Sequence, residues 1–330
     1  MNERKATMLN TTEHEPMPWF LHMLKDWIGF GYLPDFVNSV LQLLLLLLVL
    51  ILLMHCLSLL VLSLFYAFTF YFYIWKKKYN INEDIYNELW TKLRQRLANL
   101  VILFAKIWHD HEVIGMENLP EGPGLIVYYH GAAVIDYAFL VAKIYKETGR
   151  KLYSVMHCFF YLVPGIKLCL GVIGGIEGKK THCDDVLKRG NLLGIAPGGL
   201  REQNFSDENY NLEWSTHRGF AQVALKNKVP IIPMFTENIR EAYRTFGNSW
   251  LSKWLYNHLP FFVLPVYGGF PVKLRTYIGE PIPYDPNITA KELAEKAKIA
   301  MENLRNKHQK LPGNILRALL ERFDKNIKDA

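Results

Sequence analysis

Cysteine is scarce in this sequence, with four residues in a chain of 330. No two of them form a C-x-x-C pair, which argues against a disulfide framework and against a zinc site built on thiolates. We expect reduced and mostly buried thiols at Cys56, Cys158, Cys169 and Cys183. His109 and His111 lack further zinc ligands nearby, so we expect them in a surface loop and predict no metal site.

Three other absences narrow the class of protein. The net charge is +7, but the basic residues form no block, so nucleic acid is not an expected partner. No repeat of 20–50 residues is visible, which excludes a repeat architecture. No G-x-S-x-G sequence occurs, which argues against a lipase of the α/β-hydrolase type.

Charge is absent from Phe36 to Trp75, a run of 40 residues that precedes Lys76, Lys77 and Lys78. One membrane span needs about 20 residues, so the run predicts two spans in a transmembrane hairpin with its tip near His55, Cys56 and Ser58. Both flanks of such a hairpin, including residues 1–35, are then cytosolic, in keeping with the lysine cluster. One long tilted helix is the alternative, and it places residues 1–35 across the membrane. The run begins too late and is too long for a signal peptide.

After the apolar run, residues 76–110 predict an amphipathic connecting helix, and residues 111–330 a single catalytic domain. Short apolar strands alternate there with helical patterns, which predicts an α/β fold with a mixed sheet flanked by helices. The predicted strands are Leu125–Tyr129, Leu152–Met156, Leu192–Ala196, Ile231–Phe235 and Val272–Ile278. The predicted helices are 136–147, 182–189, 216–227 and 290–308, the last with a capping box formed by Thr289 and Glu292.

The first candidate site lies where the strand Leu125–Tyr129 ends in His130, six residues before Asp136. The two side chains can meet only if the chain turns between them, which Gly131 and the two following alanines allow. Asp136 could then orient His130 as a general base. A strand-end histidine and a first-turn helix acid with no catalytic role remain an equal alternative from these residues alone.

Two further strand ends carry polar groups. After Leu192–Ala196 comes Pro197-Gly198-Gly199-Leu200-Arg201-Glu202, a glycine-rich turn that can present N–H groups to an anion, with Arg201 available for phosphate or carboxylate. Arg218 opens the next helical pattern, and Glu237 and Asn238 follow the strand after it. Ligands of open α/β sheets collect at such ends.

Together these blocks resemble the glycerolipid acyltransferase superfamily, over residues 36 to about 323. That family has a His and an Asp separated by four residues, and a later Pro-Glu-Gly-Thr-Arg block. Here five residues separate His130 from Asp136, and Gly198 stands where the family has Glu. The Pro-Gly-Gly form and the Phe-x-Glu-Asn run are similar to the type 2 diacylglycerol acyltransferase branch, which has His-Pro-His-Gly in place of the His…Asp pair.

The resemblance implies a multi-pass acyltransferase of the endoplasmic reticulum membrane, with its catalytic domain facing the cytosol. It would esterify mono- or diacylglycerol in triacylglycerol biosynthesis, with acyl-coenzyme A as donor substrate and no permanently bound cofactor. His130 and Asp136 would be catalytic. The substrate-binding residues would be Gly131, Gly198, Gly199, Arg201, Glu202, Arg218, Glu237 and Asn238. A lysophospholipid acceptor, a lipid acyl donor, and a non-catalytic lipid-binding protein on the same fold are the alternatives.

Overall fold

A computed structural model of the chain describes residues 35–81, 89–245, 247, 249–259 and 266–323. The chain divides into two compact units, Met1–Ala67 and Phe68–Ala330. The predicted N-terminal segment lies outside the described residues, except for Asp35. The α/β domain belongs to the second unit.

The uncharged run forms one helix, α1, Asp35–Lys78. The hairpin turn predicted near His55 and Ser58 is therefore wrong. The physical reason is that no Gly or Pro between Phe36 and Trp75 interrupts the backbone hydrogen bonds of a helix. Counting only the residues that the structure describes, no helix combines the length and the apolar character needed to cross a membrane.

The connecting helix predicted over 76–110 is present as α2, Trp90–His109, and residues 82–88 lie outside the described part. One face of α2 is buried, with Trp90 and Leu93 packed in a cluster with Phe72 and Trp75. α2 ends at His109, and the next residue, Asp110, has a left-handed backbone (φ 42°) and caps the last turn by donating its N–H to a carbonyl of that turn.

The domain is built on a mixed sheet, as predicted. Its order within the described residues is β1-β9-β6-β2-β5-β3-β4, and β6, β2, β5, β3 and β4 run parallel. β9 is antiparallel to β6 and parallel to β1. A separate pair is formed by β7 and β8. The strands are β1 Glu112–Ile114, β2 Gly124–Tyr128, β3 Leu152–Met156, β4 Gly175–Glu177, β5 Leu192–Ile195, β6 Ile231–Glu237, β7 Tyr243–Thr245, β8 Val266–Gly268 and β9 Arg275–Ile278.

Helices flank this sheet, and the four predicted ones are all present within three residues of their expected starts. The helix Ala290–His308 has the predicted capping box of Thr289 and Glu292. The helices after α2 are α3 Ile135–Thr148, α4 Phe159–Leu162, α5 Ile166–Ile173, α6 Lys180–Lys188, α7 Gly199–Phe205, α8 Gly219–Asn227, α9 Ile239–Ala242, α10 Trp250–His258, α11 Ala290–His308 and α12 Ile315–Phe323.

Two expectations about side chains need correction. His109 is fully buried at the end of α2, where its Nδ1 lies 3.0 Å from Val272 O, so it is not in a surface loop. Cys169 and Cys183 are buried as expected, but Cys56 and Cys158 are exposed.

The sheet order explains where a site can form. β5, β2 and β6 are adjacent and parallel, so their carboxyl ends lie at the same edge. His130 follows β2, Pro197 follows β5, and Glu237 ends β6. The three sequence blocks therefore converge at one edge of the sheet.

Candidate functional site

His130 follows β2, and its side chain is partly buried. Its Nδ1 lies 2.9 Å from Gly131 O. Because a carbonyl can only accept, Nδ1 carries the proton and Nε2 keeps its lone pair. Burial lowers the pKa of His130, which favours the neutral imidazole. Nε2 can therefore act as a base.

Asp136 does not provide the hydrogen bond to His130 that the sequence predicted. It lies in the first turn of α3 and is buried, and its Oδ1 has no partner among the described residues. Burial raises the pKa of Asp136 to about 6, although the Thr236 hydroxyl lowers it. Five residues separate Asp136 from His130, one more than in the family. The carboxyl group of Asp136 interacts with Thr236 of β6 and not with His130.

A chain of buried hydroxyl groups continues from Asp136 through Thr236. Thr236 Oγ1 lies 2.9 Å from Thr276 Oγ1, and Thr276 Oγ1 lies 2.9 Å from His111 Nε2. Burial lowers the pKa of His111 to about 4, so His111 is neutral at pH 7. Asp136 is therefore part of a polar network that crosses β6 and β9 within the domain.

Residues 129–134, which join β2 to α3 and carry His130, are called the His130 segment. Glu202 is the acid that contacts this segment. It is fully buried in α7, and its Oε2 accepts the backbone N–H of His130 at 2.8 Å. Its Oε1 accepts the N–H of Glu213 at 3.1 Å. Burial raises the pKa of Glu202 to about 8, although these two N–H donors lower it. The structure gives Glu202 internal hydrogen bonds, whereas the sequence predicted a substrate contact.

The three glycines of the predicted site have different surroundings. A Cβ atom at Gly131 would lie 2.9 Å from Ile239 Cγ1, so this glycine lets the His130 segment pack against α9. Gly198 is in contact with Glu202, whereas Gly199 begins α7 at φ +49° with open space around its Cβ position. The Gly199 N–H is already donated to Ala196 O, so it is not available to an anion.

Both arginines of the predicted site are exposed. Arg201 Nε donates to Glu213 Oε2 at 2.9 Å, so an anion would have to compete with that carboxylate. Arg218 precedes α8, and its side chain makes no hydrogen bond or ion pair among the described residues. Of the two, Arg218 is the more available to a phosphate.

Glu237 and Asn238, at the end of β6, serve internal contacts. Glu237 is buried and pairs with Arg275 at 3.4 Å. Asn238 donates its side-chain N–H to Lys273 O at 3.1 Å and its backbone N–H to Gln309 Oε1 at 2.8 Å. Their predicted contact with substrate has no support in these interactions.

An apolar cavity of about 590 Å³ lies beside the His130 segment. Its walls come from α2, α3, β3 and the end of α5, and Val134 and Ile135 connect it to the segment between β2 and α3. Most of its lining is aliphatic or aromatic, and small side chains such as Ala138 and Ala142 leave the space. Such a cavity suits a hydrocarbon ligand.

Sequence reasoning missed the hydroxyl chain and the contact of Glu202 with His130. The sequence did contain an indication of the Glu202 contact. The motif has Gly198 in place of its expected acid, and an acid, Glu202, follows four residues later, which is one helical turn away. The hydroxyl chain had none, since Thr236, Thr276 and His111 lie far apart in the sequence.

The chain matches a family model described as Acyltransferase over residues 110–237. A human relative, "DGAT1/2-independent enzyme synthesizing storage lipids", also called transmembrane protein 68, is 47% identical over 92% of this chain and 93% of its own length. The cattle relative of the same name is 47% identical over 98% and 96%. The resemblance predicted from the motifs is confirmed.

Among solved structures, the 1-acyl-sn-glycerophosphate acyltransferase of Thermotoga maritima aligns with a TM-score of 0.45 and 18% identity. The alignment covers 75% of this chain and 96% of that one.

Proposed function

Because this chain belongs to the acyltransferase family, we propose that it transfers a fatty acyl group from acyl-coenzyme A to a hydroxyl of mono- or diacylglycerol, giving di- or triacylglycerol. The observation that carries the proposal is the 2.9 Å contact of His130 Nδ1 with Gly131 O, from which we infer that Nδ1 carries the ring proton and that Nε2 can accept one. The mammalian relatives are named for storage-lipid synthesis, which supports a neutral glyceride as product.

In this reaction Nε2 of His130 removes the proton of the acceptor hydroxyl as its oxygen attacks the thioester carbonyl. A new ester bond forms, the carbon–sulfur bond breaks, and the proton on His130 passes to the departing thiolate of coenzyme A. Donor and acceptor are held together, so no covalent acyl-enzyme is needed. Arg218 is the proposed partner of the coenzyme A phosphates, since it is exposed and makes no ion pair among the described residues.

The apolar cavity beside the His130 segment is the proposed site of the acyl chain. Ala138 lines it from α3, whereas Glu147 on the same helix does not. Ala138→Trp should fill part of the cavity and shift the preference toward shorter acyl-coenzyme A, while Glu147→Trp should leave it unchanged. Equal chain-length profiles for both variants would exclude this cavity as the acyl site.

The uncharged run would keep the domain at the endoplasmic reticulum membrane, on its cytosolic side, where acceptor and acyl chain both reside. Support comes from exposed aliphatic side chains on α1, such as Leu43, Leu47 and Leu53, and from the lysines at its end. Carbonate extraction tests membrane integration. Glycosylation at the sequon Asn10 would indicate one crossing, because only then does the N-terminus reach the lumen.

The test of the proposed reaction is acylation of mono- and diacylglycerol by membranes that contain equal amounts of wild type or His130→Gln. We expect the variant to lose at least about 100-fold in rate, as is usual when a general base is removed. Equal rates would reject the proposal for these acceptors. Product formed only from a lysophospholipid acceptor would move the assignment to that class.

A further inference from the structure

Glu202 occupies the space that a side chain at position 198 would need. A Cβ atom built on Gly198 would lie 2.4 Å from Glu202 Cβ and 2.7 Å from Glu202 Oε2. The backbone of Gly198 has φ −74° and ψ −25°, which any residue adopts. Glycine is therefore required at this position by the neighbouring acid and not by the turn.

The carboxyl group of Glu202 links two segments to α7. It accepts the N–H of His130 at 2.8 Å and the N–H of Glu213 at 3.1 Å. A second tether is weaker, since Gln203 Nε2 donates to Ala132 O at 3.3 Å. The peptide that carries the proposed base is therefore held from α7 on both sides of Gly131.

The His130 segment needs such a tether because the imidazole has no side-chain partner among the described residues. Its Nδ1 is bound to the carbonyl of the next residue, so the orientation of the ring depends on the conformation of the His130–Gly131 backbone. A group that fixes this backbone also fixes the direction of Nε2. A displacement of about 1 Å at a reacting group can reduce a rate by about 100-fold.

We propose that Glu202 is a positioning residue for His130, and that it replaces from position 202 the acid that the family's block has where this chain has Gly198. This inference rests on the proposed function, since it assigns a role within that reaction. Glu202 itself does not touch the reacting atoms. Its carboxyl group is buried, and both of its oxygens are used within the protein.

The test compares four variants of the full-length protein in detergent with the wild type. They are Glu202→Ala, Gly198→Glu, the double variant Gly198→Glu/Glu202→Gly, which also removes the Cβ atom 2.4 Å from a side chain at position 198, and the control Glu208→Ala, which removes an exposed acid shortly after α7. Melting temperatures identify any variant that fails to fold. If Glu202→Ala does not fold, Glu202→Gln replaces it, because Gln retains the volume and one acceptor oxygen.

We expect Glu202→Ala to lower kcat by about 10- to 100-fold with KM for acyl-coenzyme A nearly unchanged, since the base is misplaced while binding is retained. Gly198→Glu alone should also lose activity, because two side chains compete for one space. The double variant should recover a large part of the loss, because an acid again reaches the His130 N–H. If the double variant recovers no activity, the proposal that Glu202 takes the place of the acid missing at position 198 would be overturned.

A second readout does not depend on turnover. Carbethoxylation of His130 by diethyl pyrocarbonate, followed by peptide mass spectrometry, reports the accessibility and state of its imidazole. Glu202→Ala should change this rate severalfold relative to His258, an exposed histidine of α10, and Glu208→Ala should not. An unchanged His130 rate in folded Glu202→Ala would overturn the positioning role. If the wild type acylates no glyceride, the proposed function fails, but this readout still decides the role of Glu202.

Discussion

Two buried acids of the predicted site, Glu202 and Asp136, differ in what their carboxyl groups contact. Glu202 accepts the His130 backbone N–H, whereas Asp136 interacts with Thr236 and, through Thr276, connects to His111. The sequence favoured Asp136 as the partner of His130, because it stands closer to the motif spacing. The difference shows that an acid can contribute to a histidine base through the backbone, and that closeness in sequence does not decide which acid does so.

Asp136 and Glu202 should differ most in how their substitution affects turnover. Asp136→Asn keeps the size of the side chain and removes a group that makes no hydrogen bond to His130, so we expect its kcat to stay within about threefold of wild type. Glu202→Ala should lose about 10- to 100-fold. A rate for Asp136→Asn as low as that of Glu202→Ala, at an equal melting temperature, would show that Asp136 is needed for catalysis.

The two acids should also differ in the pH range in which they affect stability. The pKa of Asp136 is about 6 in the fold and 3.8 normally, so between these values the unfolded chain has released a proton that the folded protein retains. Stability contributed by the protonated carboxyl group therefore falls as pH rises from about 4 to about 6, and is constant above. For Glu202, whose pKa is about 8, the fall extends to about pH 8.

Urea unfolding at a series of pH values checks this prediction, with each isosteric variant compared with wild type so that other titrating groups cancel. From pH 4 to 6 the unfolding free energy of Asp136→Asn should rise by about 2 kcal/mol relative to that of wild type. Glu202→Gln should keep gaining up to about pH 8. The same pH window for both variants would show that the two environments are alike.

The smallest effect on activity is expected in the hydroxyl chain. Thr276→Val removes the hydroxyl between Thr236 and His111 and leaves both polar groups without this partner. The unfolding free energy should fall by about 1–3 kcal/mol, as for other unsatisfied buried groups. Thr276→Ser retains the hydroxyl and serves as the control. A loss of kcat in Thr276→Val that exceeds its loss in Asp136→Asn would indicate that the network serves catalysis.

Much of the fold follows from local patterns. The strand Leu152–Met156 was predicted to the residue, and the capping box of Thr289 and Glu292 gave the start of α11, because both signals lie within a few consecutive residues. The edge strands Glu112–Ile114 and Gly175–Glu177 were missed, since three residues are too few to show a period. The hairpin prediction failed because the polar residues His55, Cys56 and Ser58 do not interrupt a helix where no Gly or Pro favours a turn.

At the site, the sequence indicated that His130 follows a buried strand and that three blocks with polar residues lie at strand ends. It did not identify the contacts among them. Whether Asp136 or Glu202 reaches His130 depends on how α3 and α7 pack against β2, and side-chain contacts of this kind are set by tertiary structure. Only one feature of the sequence indicated the contact of Glu202 with His130. Gly198 stands where the family has Glu, and Glu202 follows four residues later.

In the proposed mechanism, His130 acts as a base that is held by its backbone and by Glu202, and Asp136 takes no part. The most direct measurement is the rate of acyl transfer from labelled acyl-coenzyme A to diacylglycerol by purified wild type, His130→Gln, Glu202→Ala and Asp136→Asn. We expect His130→Gln to lose the most activity, Glu202→Ala to be intermediate, and Asp136→Asn to stay close to wild type. An Asp136→Asn variant as inactive as His130→Gln, with Glu202→Ala unaffected, would rule out this arrangement.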